Sequence, residues 1–151
     1  MAYIVAVYLS VLFHTQDIDV ILHIGRNPMI FKLTRKLIGH LIVTADKMTS
    51  PSAPKRSAQE QDILDEKTNS LTLYEMLACP FCVKVRREIK RLGLNIQKRD
   101  VKRNQNDMSD LLEGGGKFQV PCLRIENEQQ VNWLYESDDI VNYLRSLAKN
   151  T

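Results

Sequence analysis

The sequence predicts an α/β fold, a β-α-β-α-β-β-α sandwich preceded by a helical extension, and three observations carry that prediction. From Leu71 onward short apolar runs alternate with amphipathic stretches; two late runs are joined by a polar turn; and 151 residues with 44% hydrophobic content suffice for one modest domain plus an extension. Leu71–Glu75 is an apolar run of strand length. Residues 80–92 follow as a helix, with Pro80 at the first helical position, Phe81, Val85, Ile89 and Leu92 on one face, and Gly93 at the end. Residues 95–101 form a second strand, closing a β-α-β unit whose crossover is right-handed. A short helix over 106–112 stops at Gly114-Gly115-Gly116. Strands at 119–125 and 131–135 are joined through Asn127-Glu128, a hairpin signal. Ser137 then caps a final helix. Asp138 and Asp139 suit its positive end, Ile140, Val141, Leu144 and Leu147 form its apolar stripe, and Arg145 and Lys149 suit its C-terminus.

Composition divides the chain into an apolar and basic amphipathic extension (1–48), a polar linker (49–70) and the α/β domain (71–151). Met1 to Phe13 is uncharged and apolar, without the basic leader and cleavage site of a signal peptide, and Met29 is an alternative start. Over residues 30–42, Ile30, Phe31, Leu33, Leu37, Ile38, Leu41 and Ile42 form one helical stripe, with Lys32, Arg35, Lys36 and His40 opposite. Such a helix suits a membrane interface with anionic headgroups, or packing against the domain or a second copy. No run reaches the roughly 18 apolar residues of a spanning helix. The linker reads as solvated, although Ser57-Ala58-Gln59-Glu60 has capping-box spacing for a short helix.

A formal charge of +3 gives no footing for nucleic-acid binding. Three cysteines, two of them in Cys79-Pro80-Phe81-Cys82, suit a reducing compartment better than a secreted disulfide framework. The motif sits where a strand gives way to a helix. Cys79 takes the N-cap, and the free amides of Phe81 and Cys82 with the helix dipole favour a thiolate there. Cys82, one turn on, is placed to close a disulfide onto Cys79. A zinc site needs four ligands, and His14, His23 and His40 all lie far upstream, so no metal is expected. A purely structural disulfide across so short a loop removes little unfolded-state entropy.

With these residues in place, the chain resembles the glutaredoxin family over about half its length. The resemblance rests on CPFC at Cys79–Cys82, Val120-Pro121 before a strand, and Glu136-Ser137-Asp138-Asp139 at a helix start. It implies a thioredoxin-like fold and a glutathione-dependent thiol–disulfide oxidoreductase; with the cysteine usage and the basic amphipathic stretch, the expected place is the cytoplasm, free or peripheral on the cytosolic face of a membrane. Its implied catalytic residues are Cys79 as nucleophile and Cys82 as resolving cysteine. Its implied glutathione contacts are Phe81, Val120, Pro121 (as a cis-proline), Glu136, Ser137 and Asp138. Glutathione is then a co-substrate, and the partners are disulfide-bearing or glutathionylated proteins. Glu136-Ser137 is also similar to the Glu-Ser pair in the N-terminal half of glutathione S-transferases. Where many glutaredoxins carry a lysine before the first cysteine this chain has Met76, with Arg99 or Lys117 as substitutes. Alternatives are an iron–sulfur-binding module built from two chains, which proline after the first cysteine disfavours within the family, and a tethered adaptor with little turnover. Cys122 reads as a small buried strand residue, or as a third thiol that modulates the site.

Overall fold

The computed structural model describes residues 28–127 and 129–149. The expectations for Met1 to Phe13, and for Glu128 of the hairpin turn, fall outside them. The chain divides into two units between Gly39 and His40, inside a helix, α1, Pro28–Met48. In the first unit and at its edge, Leu33, Leu37, Ile38 and Leu41 are all more than half exposed. Among the described residues no helix is long and apolar enough to cross a membrane.

The second unit is built on a four-stranded sheet of order β2-β1-β3-β4. Its strands are β1 (Leu71–Glu75), β2 (Gln97–Asp100), β3 (Cys122–Asn127) and β4 (Gln130–Leu134). β1 and β2 run parallel, as a β-α-β crossover requires, while β1–β3 and β3–β4 are antiparallel. Every residue of β1 is buried, because the strand is central and covered on both faces. Helices α3 (Pro80–Arg91), α4 (Gln105–Gly115) and α5 (Ser137–Lys149) complete the thioredoxin-like sandwich. Alternation along the strands sorts the core into two layers. Leu71, Leu73, Leu123 and Ile125 join Val85 and Ile89 of α3 and Ile140, Val141 and Leu144 of α5. Tyr74 and Cys122 turn the other way and join Leu111 of α4.

The polar stretch 49–70 departs from a solvated linker. Helix α2, Ala58–Thr68, forms with a complete capping box: the Glu60 amide donates to Ser57 Oγ at 3.3 Å and the Ser57 amide donates to Glu60 Oε2 at 2.9 Å. Its Leu64 is 1% exposed and belongs to the main core layer. The residues before it are held to α3 by side chains. Arg87 donates to Thr49 Oγ1 and O at 2.7 and 2.6 Å, Lys90 to Ser50 Oγ at 2.8 Å, and Arg56 to Leu92 O at 2.8 Å. One apolar residue per turn, set among charges, hid this docking from a composition reading.

A second departure lies in α4, which runs through Gly114 and Gly115 and stops at Gly116, whose φ of +73° is left-handed. A Cβ on Gly114 would come 2.4 Å from the Trp133 ring, and one on Gly115 would come 2.1 Å from Tyr135 Oη. These glycines let two aromatic rings lie directly on the helix backbone instead of breaking it. Phe81 also differs from expectation: it is 63% exposed, and the buried face of α3 is Cys82, Val85, Glu88 and Ile89.

Candidate active site

Cys79 is the N-cap of α3, with extended backbone (φ −85°, ψ 122°) and Pro80 next, where no amide hydrogen is needed. Its carbonyl accepts the Val83 amide at 3.0 Å, closing the first turn. Its thiol is partly exposed and makes no capping hydrogen bond. Cys82 lies beneath it, 0% exposed, where its Sγ accepts the Met76 amide at 3.5 Å and shares a hydrogen bond with Cys79. Burial, with the neighbouring Cys79 thiol and Glu75 charge, pushes the Cys82 thiol up to about 12. Both thiols are free, one open to solvent and one sealed below it.

The expected glutathione contacts lie on several elements. The Val120–Pro121 peptide is cis. Glu136 is exposed and accepts from Gln119 Nε2 at 3.2 Å, tying the helix start to the segment before Pro121. Its carbonyl accepts the Ile140 amide at 2.9 Å, so the first turn of α5 closes on Glu136 and Ser137 is the first helical residue, not the cap. Ser137 is buried, whereas the Asp138 carboxylate is exposed and bonded to Lys84 Nζ at 2.5 Å. Phe81 and Phe118 are both exposed, at 63% and 53%.

The basic residues that follow Cys82 are all engaged. Arg86 is mostly buried and donates to Glu75 Oε2 (2.8 Å), Asp46 Oδ2 (3.1 Å) and Leu77 O (2.9 Å), which braces the loop leading into Cys79. Burial pushes the Glu75 carboxyl up, and its pairing with Arg86 works against that shift. Sequence reasoning missed this hub, because nothing local links Asp46 to a helix forty residues on. Neither substitute for the missing lysine is free. Arg99 is paired with Asp110 at 2.5 Å and Asp107 at 3.8 Å, and Lys117 lies 5.6 Å from the Tyr135 ring centre.

Cys122 is 0% exposed on the α4 face of the sheet, opposite the layer formed by α3, and burial pushes its thiol up to about 12. It is a packed strand residue. Among the described residues no cluster of three or more His, Cys, Asp or Glu could hold a metal ion. With two thiols fully buried and pushed to about 12, only Cys79 can react quickly. Iodoacetamide at about pH 8 is expected to label one cysteine per native chain and three after unfolding, because the two buried thiols are out of the reagent's reach and are held protonated. Mass spectrometry of the native protein showing two or more labels would contradict this burial.

The family model "Glutathione S-transferase, N-terminal domain" matches residues 73–151. No curated protein matches the chain. Among solved structures, maleylacetoacetate isomerase from Anaeromyxobacter dehalogenans 2CP-1, determined with glutathione bound in its active site, is 23% identical with a TM-score of 0.40. That match covers 51% of this chain and 37% of the isomerase, so the chain spans little more than a third of that protein's length. Wheat glutaredoxin is 20% identical with a TM-score of 0.43, over 62% of this chain and 91% of its own. A thioredoxin-like protein is 22% identical, with a TM-score of 0.41 over 51% and 96% of the two chains. By the match over residues 73–151, the chain belongs to the glutathione S-transferase N-terminal domain family.

Proposed function

We propose that this protein is a glutathione-dependent thiol–disulfide oxidoreductase acting through Cys79 and Cys82. The observation that carries the reading is the asymmetry of the pair: a partly exposed thiol at a helix N-cap, above a sealed thiol hydrogen-bonded to it. In the monothiol route the Cys79 thiolate attacks the glutathionyl sulfur of a protein mixed disulfide. A Cys79–glutathione disulfide forms, and the protein thiolate leaves and takes up a proton. A second glutathione thiolate then attacks that disulfide, releasing oxidised glutathione and restoring Cys79. One glutathione thiol is consumed for each mixed disulfide reduced, the other half of the oxidised glutathione being the glutathionyl group removed from the protein. In the dithiol route the Cys79 thiolate opens a protein disulfide into a mixed disulfide; Cys82 then loses its proton and attacks the Cys79 sulfur, the substrate thiolate leaves and takes up a proton, and two glutathione thiols reduce the resulting Cys79–Cys82 disulfide to oxidised glutathione.

Phe81, Val120, Pro121, Glu136, Ser137 and Asp138 are the proposed glutathione contacts. The α5 start offers free amides and a buried hydroxyl to the γ-glutamyl carboxylate, and the Asp138 carboxylate to its ammonium. The test is glutathione-coupled reduction of a small glutathione mixed disulfide by the full chain. A folded protein with no turnover above the uncatalysed exchange would sink the proposal.

The exposed apolar residues of α1 favour a site of action at the cytosolic face of a membrane. Leu33, Leu37, Ile38 and Leu41 are exposed at 56–69%, with Lys32, Arg35 and Lys36 on the same helix for anionic headgroups. The full chain is expected to cosediment with phosphatidylserine-containing vesicles, less so as salt rises. Leu37→Asp/Leu41→Asp should release it, since each substitution places a charge in the lipid-facing stripe. Failure of the unmodified chain to cosediment at low salt would remove the membrane from the picture.

A further inference from the structure

A groove of about 190 Å³ runs between α3 and α5, lined by Lys84, Arg87, Glu88, Arg91, Val141 and Arg145. Its one carboxylate is already committed. Glu88 is 4% exposed; Arg145 Nε donates to its Oε1 at 2.8 Å, and Arg91 Nη1 pairs with its Oε2. That pairing holds the Glu88 carboxyl below the usual carboxylate range, Arg145 contributing most. Lys84 is answered by Asp138. Asp46 comes within 4.0 Å of Arg87 but is bonded to Arg86 at 3.1 Å. The four cations lining the groove face Glu88, Asp138 and, at the edge, Asp46, whose partner Arg86 is shared with Glu75, so one positive charge is left in excess. Arg91 and Arg145 keep more than half of their side chains in solvent at 54% and 55%. Buried Glu88 acts as a rivet that fixes two guanidinium groups along the groove without using up all their donors.

Position gives this excess charge a use. Lys84, Arg87 and Arg91 lie five, eight and twelve residues beyond Cys79 on α3. At about 1.5 Å per residue the row reaches about 18 Å from the reactive sulfur. An extended polypeptide at about 3.3 Å per residue covers that distance in about five or six residues.

We infer that the α3–α5 groove is a substrate-docking surface for an acidic polypeptide segment, one carrying aspartate or glutamate within about six residues of the cysteine whose mixed disulfide Cys79 attacks. The inference rests on the oxidoreductase reading and names its substrate class. The surface acts on encounter and binding, not on the chemical step, so the gain falls on kcat/KM at low substrate and is screened by salt.

The test uses the full chain and three cysteine peptides, each as its glutathione mixed disulfide, with three Glu, three Gln or three Lys at three to five residues from the cysteine. At low ionic strength the Glu peptide is expected to exceed the Lys peptide in kcat/KM by about tenfold, the ratio that about 1.4 kcal/mol of differential binding produces. In 1 M NaCl the ratio should approach one. Arg87→Gln/Arg91→Gln should cut the low-salt preference to about a third or less; it leaves Arg145 on Glu88, so the buried carboxylate keeps a partner. Turnover of the glutathione mixed disulfide of a small uncharged thiol should be unchanged in that variant. Equal rates for the Glu and Lys peptides at low salt, or full preference retained in the double variant, would overturn the docking surface while the oxidoreductase reading stands. No turnover of the peptides or of the small mixed disulfide by folded protein would overturn both.

Discussion

Cys79→Ser is expected to lower reduction of glutathione mixed disulfides by at least about 10³-fold, because a serine hydroxyl stays protonated at neutral pH and cannot form the covalent intermediate. No other thiol can take over. Cys82 is sealed at 0% exposure and Cys122 is packed on the opposite face of the sheet, each pushed to about 12. Cys82→Ser should behave differently. It removes the thiol that hydrogen-bonds Cys79 from below but leaves the exposed nucleophile, so turnover on small glutathione mixed disulfides should stay within about tenfold of the parent. Reduction of protein disulfides that depends on the second thiol should fall with it. Steady-state rates on both substrate types separate the two roles. A Cys82→Ser protein dead on mixed disulfides beside an active Cys79→Ser protein would reverse the assignment of nucleophile.

The strands and the dithiol helix were legible in the sequence because each is dictated locally. Leu71–Glu75 is bounded as the residue pattern predicts, and Pro80 fixes the start of α3. Local cues misled where a distant side chain decides. Gly114 and Gly115 read as a helix stop, yet Trp133 and Tyr135, one strand away, occupy the space that larger residues would need. Phe81 fits the helical stripe by spacing, but at the first turn of α3 it remains 63% exposed beside the dithiol. For the candidate site, the sequence showed which residues could act and not what already holds them. Lys84 and Arg86 follow Cys79 on α3 with no sign of a partner in the local sequence. In the structure Lys84 is bonded to Asp138, and Arg86 is bonded to Glu75 and to Asp46 of α1. Electrostatics set by pairs 40 and 54 residues apart is invisible to a local window along the chain.

Leu64→Ala is expected to destabilise the second unit by about 2–5 kcal/mol, the usual cost of emptying a fully buried leucine site. A composition reading of residues 49–70 would expect almost none, since a leucine in a solvated linker contributes within about 0.5 kcal/mol. The larger figure follows from where α2 lies. Leu64 is 1% exposed in the same layer as Leu71, Val85 and Ile89. The helix is clamped to the end of α3 at the same time. Gln61 Nε2 donates to Gly93 O at 3.1 Å, and Arg56 Nη1 to Leu92 O at 2.8 Å. Gly93 itself sits at φ +62°, where a side chain is strained, and a Cβ there would come 2.6 Å from the Arg56 Nη1 that bonds Leu92 O. Thr68 at the far end is 0% exposed and returns its hydroxyl to Leu64 O at 3.0 Å, so the helix has no loose end to absorb a cavity. Urea denaturation followed by circular dichroism measures the loss directly. Against a total of about 5–15 kcal/mol for a domain, a cost in this range should move the midpoint plainly with little change in slope. An unchanged midpoint would mean that α2 does not share the core, and that the α/β domain begins at Leu71 after all.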